Sequence, residues 1–405
     1  MYKIILNLFG EPQVTTQPSL SAEMKTFYDM RLIDEAAPML VHEQFGQKRP
    51  IPQGGGKSIE FRKFSPLPKA LVPLTEGVTP NGNSLEVTKM TATVEQFGDF
   101  IVQSDVLELT AIDNTILEAT KLLGKQAGLT MDTIVRNIMN SGTNVSYAPK
   151  ISGSTETEVT SRKDLDKTAK LTVDVVQRIV AKLRAQNAPT INGDYVAIIH
   201  PYVAYDLMRD PEWIDAHKYS TPENIYTGEI GKIGGVRFVQ STEAKIFAPK
   251  IRGKVKTAVS SAGTSITVEG NLPTMTGVSV PCYLGGNINT ITAIAEASTG
   301  VYTVTLGTAA TAAVGDLLVD REGTADGLAV FSCLFLGDGA YGVTEVTGGG
   351  LQTIIKQKGS AGTADPLDQR SSVGWKGLKT AKILVDNYLV RCEVCSRYSD
   401  TASAN

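Results

Sequence analysis

Two stretches that alternate apolar and polar residues flank a proline- and glycine-punctuated segment of about twenty residues, and no other feature of the chain constrains its fold as much. The first stretch, Ser58 to Phe64, sets Ile59 and Phe61 on one face and Glu60 and Arg62 on the other, the period-two pattern of a strand. The second, Glu86 to about Val94, aligns Thr88, Met90, Ala92 and Val94. Between them stand Pro66, Pro68, Pro73, Gly77, Pro80 and Gly82. A structureless connection of that length fits poorly inside a compact domain. It is either a surface loop or an arm that reaches a neighbouring molecule, and the arm is the reading carried forward.

The segment before it also asks for a partner. Ser21 can cap a helix running to Ala36, with Met24, Phe27, Tyr28 and Leu32 as its apolar stripe, and Pro38 ends it. A shorter amphipathic piece is expected from Leu40 to Phe45. Helices this short are marginal alone in water and must dock on something.

The strongest helix signal follows. Asp113 is a good cap, and Ile116, Leu117, Leu123, Ala127, Met131, Ile134, Val135 and Ile138 hold one face up to Gly142, which predicts a rod about 40 Å long. Gly124 and Gly128 within it suit close backbone packing, while Lys121, Lys125 and Asp132 argue against a membrane dimer motif. Ile151 to Asp166 reads as a strand or loop connection. Val173 to Ala185 is amphipathic through Val173, Val176, Val180 and Leu183. Tyr195 to Ile199 is a short apolar run, closed by His200 and Pro201, that suits a buried strand. Helix followed by buried strand indicates an α/β or α+β arrangement.

From Lys250 to Asp326 the texture changes, with only Tyr283 and Tyr302 as aromatics. Thr264–Val268, Ile288–Ile294 and Val301–Leu306 alternate between glycine-rich turns, which predicts a small all-β domain inserted in its host. Leu328–Leu336 and Tyr341–Val346 resume strand character. Gly359–Arg370 is a polar loop, and Ser372–Ser396 is strand-like, with Tyr388, Val390, Cys392 and Val394 on one face.

Catalytic and cofactor chemistry finds little support. Gly54-Gly55-Gly56-Lys57-Ser58 lacks the required glycine, since Ile51 stands there, and it leads into a strand where a phosphate loop opens a helix. Cys392 and Cys395 form a lone CxxC without a second ligand pair. The three histidines, His42, His200 and His217, the last of them after an expected turn region at Trp213–Asp215, have no Cys or Asp at ligand or triad spacing. The carboxylates Asp34, Glu35, Asp206 and Asp210 read as solvated helix faces. No enzyme, cofactor or metal site is expected. No apolar run is long enough to cross a membrane, Met1–Phe9 makes a poor signal peptide, and four scattered cysteines fit a reducing cytoplasm. A net charge of -3 implies no tight grip on nucleic acid.

Ten short segments, in consistent order along the chain, resemble the N4-like family of phage and prophage major capsid proteins: Glu23–Tyr28, Gln44–Pro52, Glu60–Lys63, Leu74–Val78, Ser104–Glu108, Glu118–Gly124, Tyr341–Val343, Gly349–Ile354, Asp365–Leu367 and Val373–Lys376. The resemblance implies an α+β HK97-like fold with an N-terminal arm (1–48), an extended loop (49–103), a peripheral domain (104–165 and 373–400) with spine helix 113–141, and an axial domain (166–249 and 327–372). The β-rich insert, 250–326, departs from the plainer members. The resemblance further implies self-assembly through hexamers and pentamers into an icosahedral head, in the host bacterial cytoplasm. A separate scaffolding protein, a portal and weak contact with packaged double-stranded DNA go with it. Met24, Phe27, Tyr28, Phe61, Arg62, Leu74, Glu76 and Val78 are the expected contacts between subunits. Two other readings stay open at this point. One is an encapsulin-type compartment of the same fold that holds protein cargo. The other is a glycan-binding role for the insert.

Overall fold

The computed structural model describes residues 40–405 except 53, 55, 65, 66, 68, 74, 75, 78–81, 107–114, 154, 219–230, 346–349 and 361–366. The expected helix from Ser21 to Ala36 and the cap at Asp113 lie outside the described residues. The chain forms two compact units, one holding Arg49–Asp132 and Val343–Thr380, the other His42–Lys48, Thr133–Gly342 and Ala381–Asn405. The dividing points fall within a helix and a strand, at Asp132 and Thr380.

In the first unit, Ser58–Phe64 (β2) and Val87–Thr93 (β3) pair antiparallel as a two-stranded ribbon. Glu95–Ser104 (β4) leaves the ribbon and pairs along Arg370–Ile383 (β21) from Ser104↔Arg370 to Glu95↔Lys379. The opposite edge of β21 carries Gln352–Lys356 (β20). One face of these strands is covered by the helix Thr115–Met139 (α1), whose part up to Asp132 belongs to this unit. Trp375 Nε1 donates to Gln126 Oε1 at 3.3 Å, and Gln126 Nε2 donates to Asp99 Oδ2 at 2.6 Å. The helix approaches the sheet closely at Gly377, where a Cβ would sit 2.6 Å from Met131 Cε, the movable end of that side chain. Leu123, Ala127, Met131 and Val135 are buried, as the apolar stripe predicts, and so are Gly124 and Gly128.

The second unit is built on a mixed sheet. Its strands are Val145–Tyr147 (β5), Tyr195–Ile199 (β8), Lys232–Ile233 (β9), Val236–Gln240 (β10), Ile246–Phe247 (β11), Val330–Leu336 (β18) and Leu389–Val394 (β22). Their order is β5-β22-β18-β8-β10-β9, with β11 also on β18. Every residue of β8 and β18 is buried, so both read as unbroken apolar runs and not as alternations. Val173–Ala185 (α2) starts on Thr172, whose side chain accepts from Val175 N, and it buries Val173, Val175, Val176, Ile179, Val180 and Leu183. The parallel crossover from β8 to β10 passes through Pro201–Met208 (α3) and Pro211–Lys218 (α4). His200 caps α3, its Nδ1 accepting from Tyr202 N, and Pro201 takes the first helical position, where no amide donor is needed. Fully buried Glu393 takes two bonds from Arg162 (2.7 and 2.6 Å), and its carboxylate is also 3.0 Å from Arg391 Nε. Lys150–Ser152 (β6) and Thr155–Thr157 (β7) make a small hairpin.

Between β11 and β18 the chain closes a six-stranded barrel. Its strands are Arg252–Val255 (β12), Val259–Gly270 (β13), Met275–Leu284 (β14), Asn287–Ser298 (β15), Val301–Ala312 (β16) and Leu317–Asp320 (β17), in the order β12-β13-β16-β15-β14-β17. Val268, Ile291, Val304 and Leu318 are fully buried in its core. Small and β-branched side chains fill so narrow an interior, which accounts for the scarcity of aromatics. At Gly253 a Cβ would come 2.4 Å from Val268 Cγ1, so that strand cannot carry a side chain there. Asp320 Oδ2 accepts from the amides of Lys250 and Ile251 at 2.8 and 3.0 Å, tying the end of the barrel to its beginning.

Four expectations change. Leu40–Phe45 is not an amphipathic helix: residues 42–45 form a turn that leads into the short strand Gln47–Lys48 (β1), and His42 is buried. Ser372–Ser396 is not one strand, because a 3-10 turn at Asp386–Tyr388 divides β21 from β22 and removes Tyr388 from the strand face. The Trp213–Asp215 region is helical, within α4. Asp206 is 8% exposed, and its Oδ2 accepts from Arg397 N at 2.9 Å, so it is no solvated helix face.

Candidate assembly surface

The ribbon has a small interior of its own. Phe61 lies opposite Met90, and Ile59 opposite Ala92. Phe61 is 2% exposed, Ala92 and Val94 are buried, and the Arg49 guanidinium stands 5.8 Å from the Phe61 ring. The Val94 amide donates to the Lys57 carbonyl at 2.8 Å, closing the base of the ribbon. The other face is polar. Arg62 is opposite Lys89, and Glu60 forms a 3.9 Å ion pair with Lys89, in solvent where such a pair contributes at most about 1 kcal/mol.

Past the ribbon the balance reverses. Leu67, Leu71, Val72 and Leu85 are all exposed, Leu71 by 81% and Val72 by 84%, and so is Val87 where β3 begins. Of the seventeen large apolar side chains exposed among the described residues, eight fall between Leu67 and Val106. Burying one such side chain is worth about 1.5–3 kcal/mol. A concentration of this kind marks a surface built to be covered.

A second apolar surface lies on the three-stranded part of the first unit. The cross-strand row Ile354, Gly374, Phe100 runs over β20, β21 and β4 on the face away from Trp375 and Val373, which are buried. Phe100 is 66% exposed, and Val102 and Ile354 are exposed beside it. A Cβ on Gly374 would approach Phe100 Cβ to 2.7 Å, so the centre of this face is necessarily flat.

Of the expected contact residues, Phe61 is enclosed by its own chain, while Arg62 and Glu76 are exposed. Met24, Phe27, Tyr28, Leu74 and Val78 lie outside the described residues. Sequence reading missed Leu71, Val72, Leu85 and Phe100. For Leu71 and Val72 the signal available was their place between Pro68 and Pro73, where no strand or helix could bury them.

The groups that could carry covalent chemistry are dispersed. Cys282, Cys333, Cys392 and Cys395 are free and buried. Burial pushes the Cys282 thiol up to about 11 and those of Cys392 and Cys395 up to about 12, so they are held as unreactive thiols. Cys395 follows the end of β22, which separates it from the strand that holds Cys392. Burial lowers the pKa of His200. Gly54 and Gly56 have positive φ and lead into β2. Among the described residues no group of three or more His, Cys, Asp or Glu side chains could hold a metal ion, and no helix is long and apolar enough to cross a membrane.

Residues 110–359 match the model of a family described as phage capsid protein. No curated protein matches the sequence. Among solved structures, the fold is similar to the capsid asymmetric unit of cyanophage Pam1, with a TM-score of 0.57 and 12% identity over 98% of this chain and 99% of that one. The capsid of cyanophage P-SCSP1u gives a TM-score of 0.54 at 13% identity, over 88% of each chain. The capsid of Ralstonia phage GP4 gives 0.51 at 12% identity, over 98% of this chain and 99% of that one. At such identities the likeness is one of fold.

Proposed function

The chain belongs to the phage capsid protein family, and from that premise we propose how its surfaces build a container. It is a major capsid protein of α+β, HK97-like fold, a structural protein and not an enzyme, and its copies assemble into the icosahedral head of the virion.

The proposed mechanism lays the loop beyond β2 and β3 of one copy on the flat face around Phe100, Val102 and Ile354 of the next. Such a contact is heterologous and closes into rings, hexamers and pentamers, when the rotation between copies closes. Covering Leu71, Val72 and Leu85 gains about 1.5–3 kcal/mol each. Bringing two molecules together costs about 4–15 kcal/mol. One contact is therefore weak and reversible, which lets misplaced subunits leave. A ring of them is stable.

In this reading residues 1–48 are a clasping arm and carry Met24, Phe27 and Tyr28, and residues 49–103 are the extended loop with Phe61, Arg62, Leu74, Glu76 and Val78. The peripheral domain is 104–165 with 373–400, and the axial domain is 166–249 with 327–372. Residues 250–326 are a decoration carried by the axial part. Phe61 supports its own ribbon in this scheme, and Arg62 and Glu76 face the neighbour. The N4-like subgroup, the tailed double-stranded DNA phage, a separate scaffold, a portal, assembly in the host cytoplasm and weak contact with packaged DNA belong to the same proposal. They rest on the ten sequence segments.

The observation that carries the mechanism is the cluster of exposed apolar side chains between Leu67 and Val106. Its test is the double variant Leu71→Asp/Val72→Asp, followed by negative-stain microscopy and by thermal unfolding of the subunit. We expect an unchanged subunit Tm and a loss of closed shells. Shells formed at the wild-type yield would remove this surface from the mechanism.

A further inference from the structure

A cavity of about 300 Å³ in the second unit is lined by Lys170, Arg209 and Arg397 together with Thr168, Asp206 and Asp210. Both carboxylates are already engaged by backbone amides. Asp206 Oδ2 accepts from Arg397 N at 2.9 Å, and Asp210 accepts from Val173 N at 2.9 Å and from Glu212 N at 3.0 Å. The cations are not balanced in this way. Neither the Lys170 ammonium nor the Arg397 guanidinium makes a side-chain hydrogen bond or ion pair among the described residues, and Arg209 bonds only the neutral Tyr205 hydroxyl. Three cations and two carboxylates therefore line one cavity, which leaves it with one net positive charge. An incoming anion would find the donors of three cations there, and the charge of the two carboxylates is partly offset by the amides they already accept from.

An aromatic stack adjoins the cavity wall. Arg209 lies 5.3 Å from the ring of Tyr205, which meets Tyr398 edge-on at 5.5 Å. Tyr398 stacks on Tyr202 with centroids 4.5 Å apart and planes at 29°, and it remains 59% exposed. The stack thus ends in an open ring beside Arg397. We propose that this site binds an unpaired nucleotide of a nucleic-acid strand, with the phosphate in the cavity against Lys170, Arg209 and Arg397 and the base continuing the stack on Tyr398. A carboxylate-bearing peptide would use the cations but leave the open ring idle, so the nucleotide is the better fit. Cations flanking a stacking platform are the usual means of holding single strands without reading their sequence. This binding is argued from the cavity and the stack alone, and its test does not depend on the proposed assembly contact.

The experiment is fluorescence anisotropy of a labelled oligothymidylate with the purified full-length protein, over a series of salt concentrations. Tyr398→Ala should weaken binding about fivefold or more, and Tyr398→Phe, which keeps the ring, should not. Arg397→Ala and Lys170→Ala should each weaken binding to every sequence and lower the salt slope by about one. A duplex of equal length, having no free base, should bind more weakly than the single strand. A thermal melt of each variant separates lost binding from lost folding. The proposal is overturned if the oligonucleotide does not bind. It is equally overturned if Tyr398→Ala binds like wild type while Arg397→Ala does not, or if oligoglutamate binds more tightly than oligothymidylate.

Discussion

The ribbon region and the barrel are both antiparallel β-structure drawn from the same chain, and they handle apolar surface in opposite ways. The barrel closes on itself, so Val268, Ile291, Val304 and Leu318 are fully buried with no help from outside. The ribbon has two strands, each with only one sheet partner among the described residues, and beyond them Leu67, Leu71, Val72 and Leu85 stand in solvent. A two-stranded ribbon is marginal by itself in water. A closed sheet has no open edge and no need of a partner. One region is finished within the monomer, and in the proposed assembly the other is finished by a neighbour.

That contrast predicts that damage to the two regions will be read by different instruments. The largest effect belongs to the flat face proposed to receive the loop. Phe100→Asp puts a charge on a side chain that is already 66% exposed, so the subunit should melt as wild type while closed shells disappear from micrographs. A lowered Tm with shells still forming would reverse the roles assigned here. Next is the barrel core. Leu306→Ala, at a side chain 2% exposed, should destabilise the barrel by about 2–5 kcal/mol in denaturant unfolding and leave subunit contacts alone.

Smaller is the clamp at the foot of the barrel. Asp320→Ala removes the acceptor for the Lys250 and Ile251 amides and should cost about 1–3 kcal/mol. Hydrogen exchange at those two amides would rise if the clamp holds them as described. Smallest is a pH effect in the first unit. The bond from Gln126, then that from the Phe100 amide, lowers the pKa of Asp99 from the usual carboxylate value. A carboxyl whose folded pKa is depressed contributes in full above its unfolded pKa and loses that contribution as pH falls through the folded one. Asp99 should therefore titrate below 3.8 by NMR, and Asp99→Asn should blunt only the acid end of the stability profile. A titration at or above 3.8 would mean that Gln126 does not hold it.

The parts of the fold legible in the sequence were those fixed by local periodicity. The helix Val173–Ala185 and the strand Tyr195–Ile199 begin and end where their apolar patterns do, because each has one uniformly buried face or is buried throughout. The β-rich texture after Lys250 was legible too, but closure was not. Nothing local specifies that β12 pairs with both β13 and β17. Leu40–Phe45 misled because a single turn offers an amphipathic pattern that a buried turn satisfies equally well. Phe61 was legible as one face of a strand, but which face turns inward depends on register with Met90, set far along the chain. Asp206 and Asp210 look like surface carboxylates until Arg397 and Val173 bring their amides to them. The flat face around Phe100 was least legible. Its shape comes from Gly374, a residue 274 positions away in number and directly across in space.

The placement of the barrel has a consequence for how such chains diversify. Ile246 and Phe247 pair with Phe331 and Val330 across β11 and β18, so everything from Ala248 to Ala329 is topologically the tip of one hairpin. A module spliced at that point enters and leaves through adjacent positions. It could be shortened, exchanged or replaced by a foreign polypeptide while every other strand keeps its neighbours. Each subunit would then have a ready socket for one inserted polypeptide.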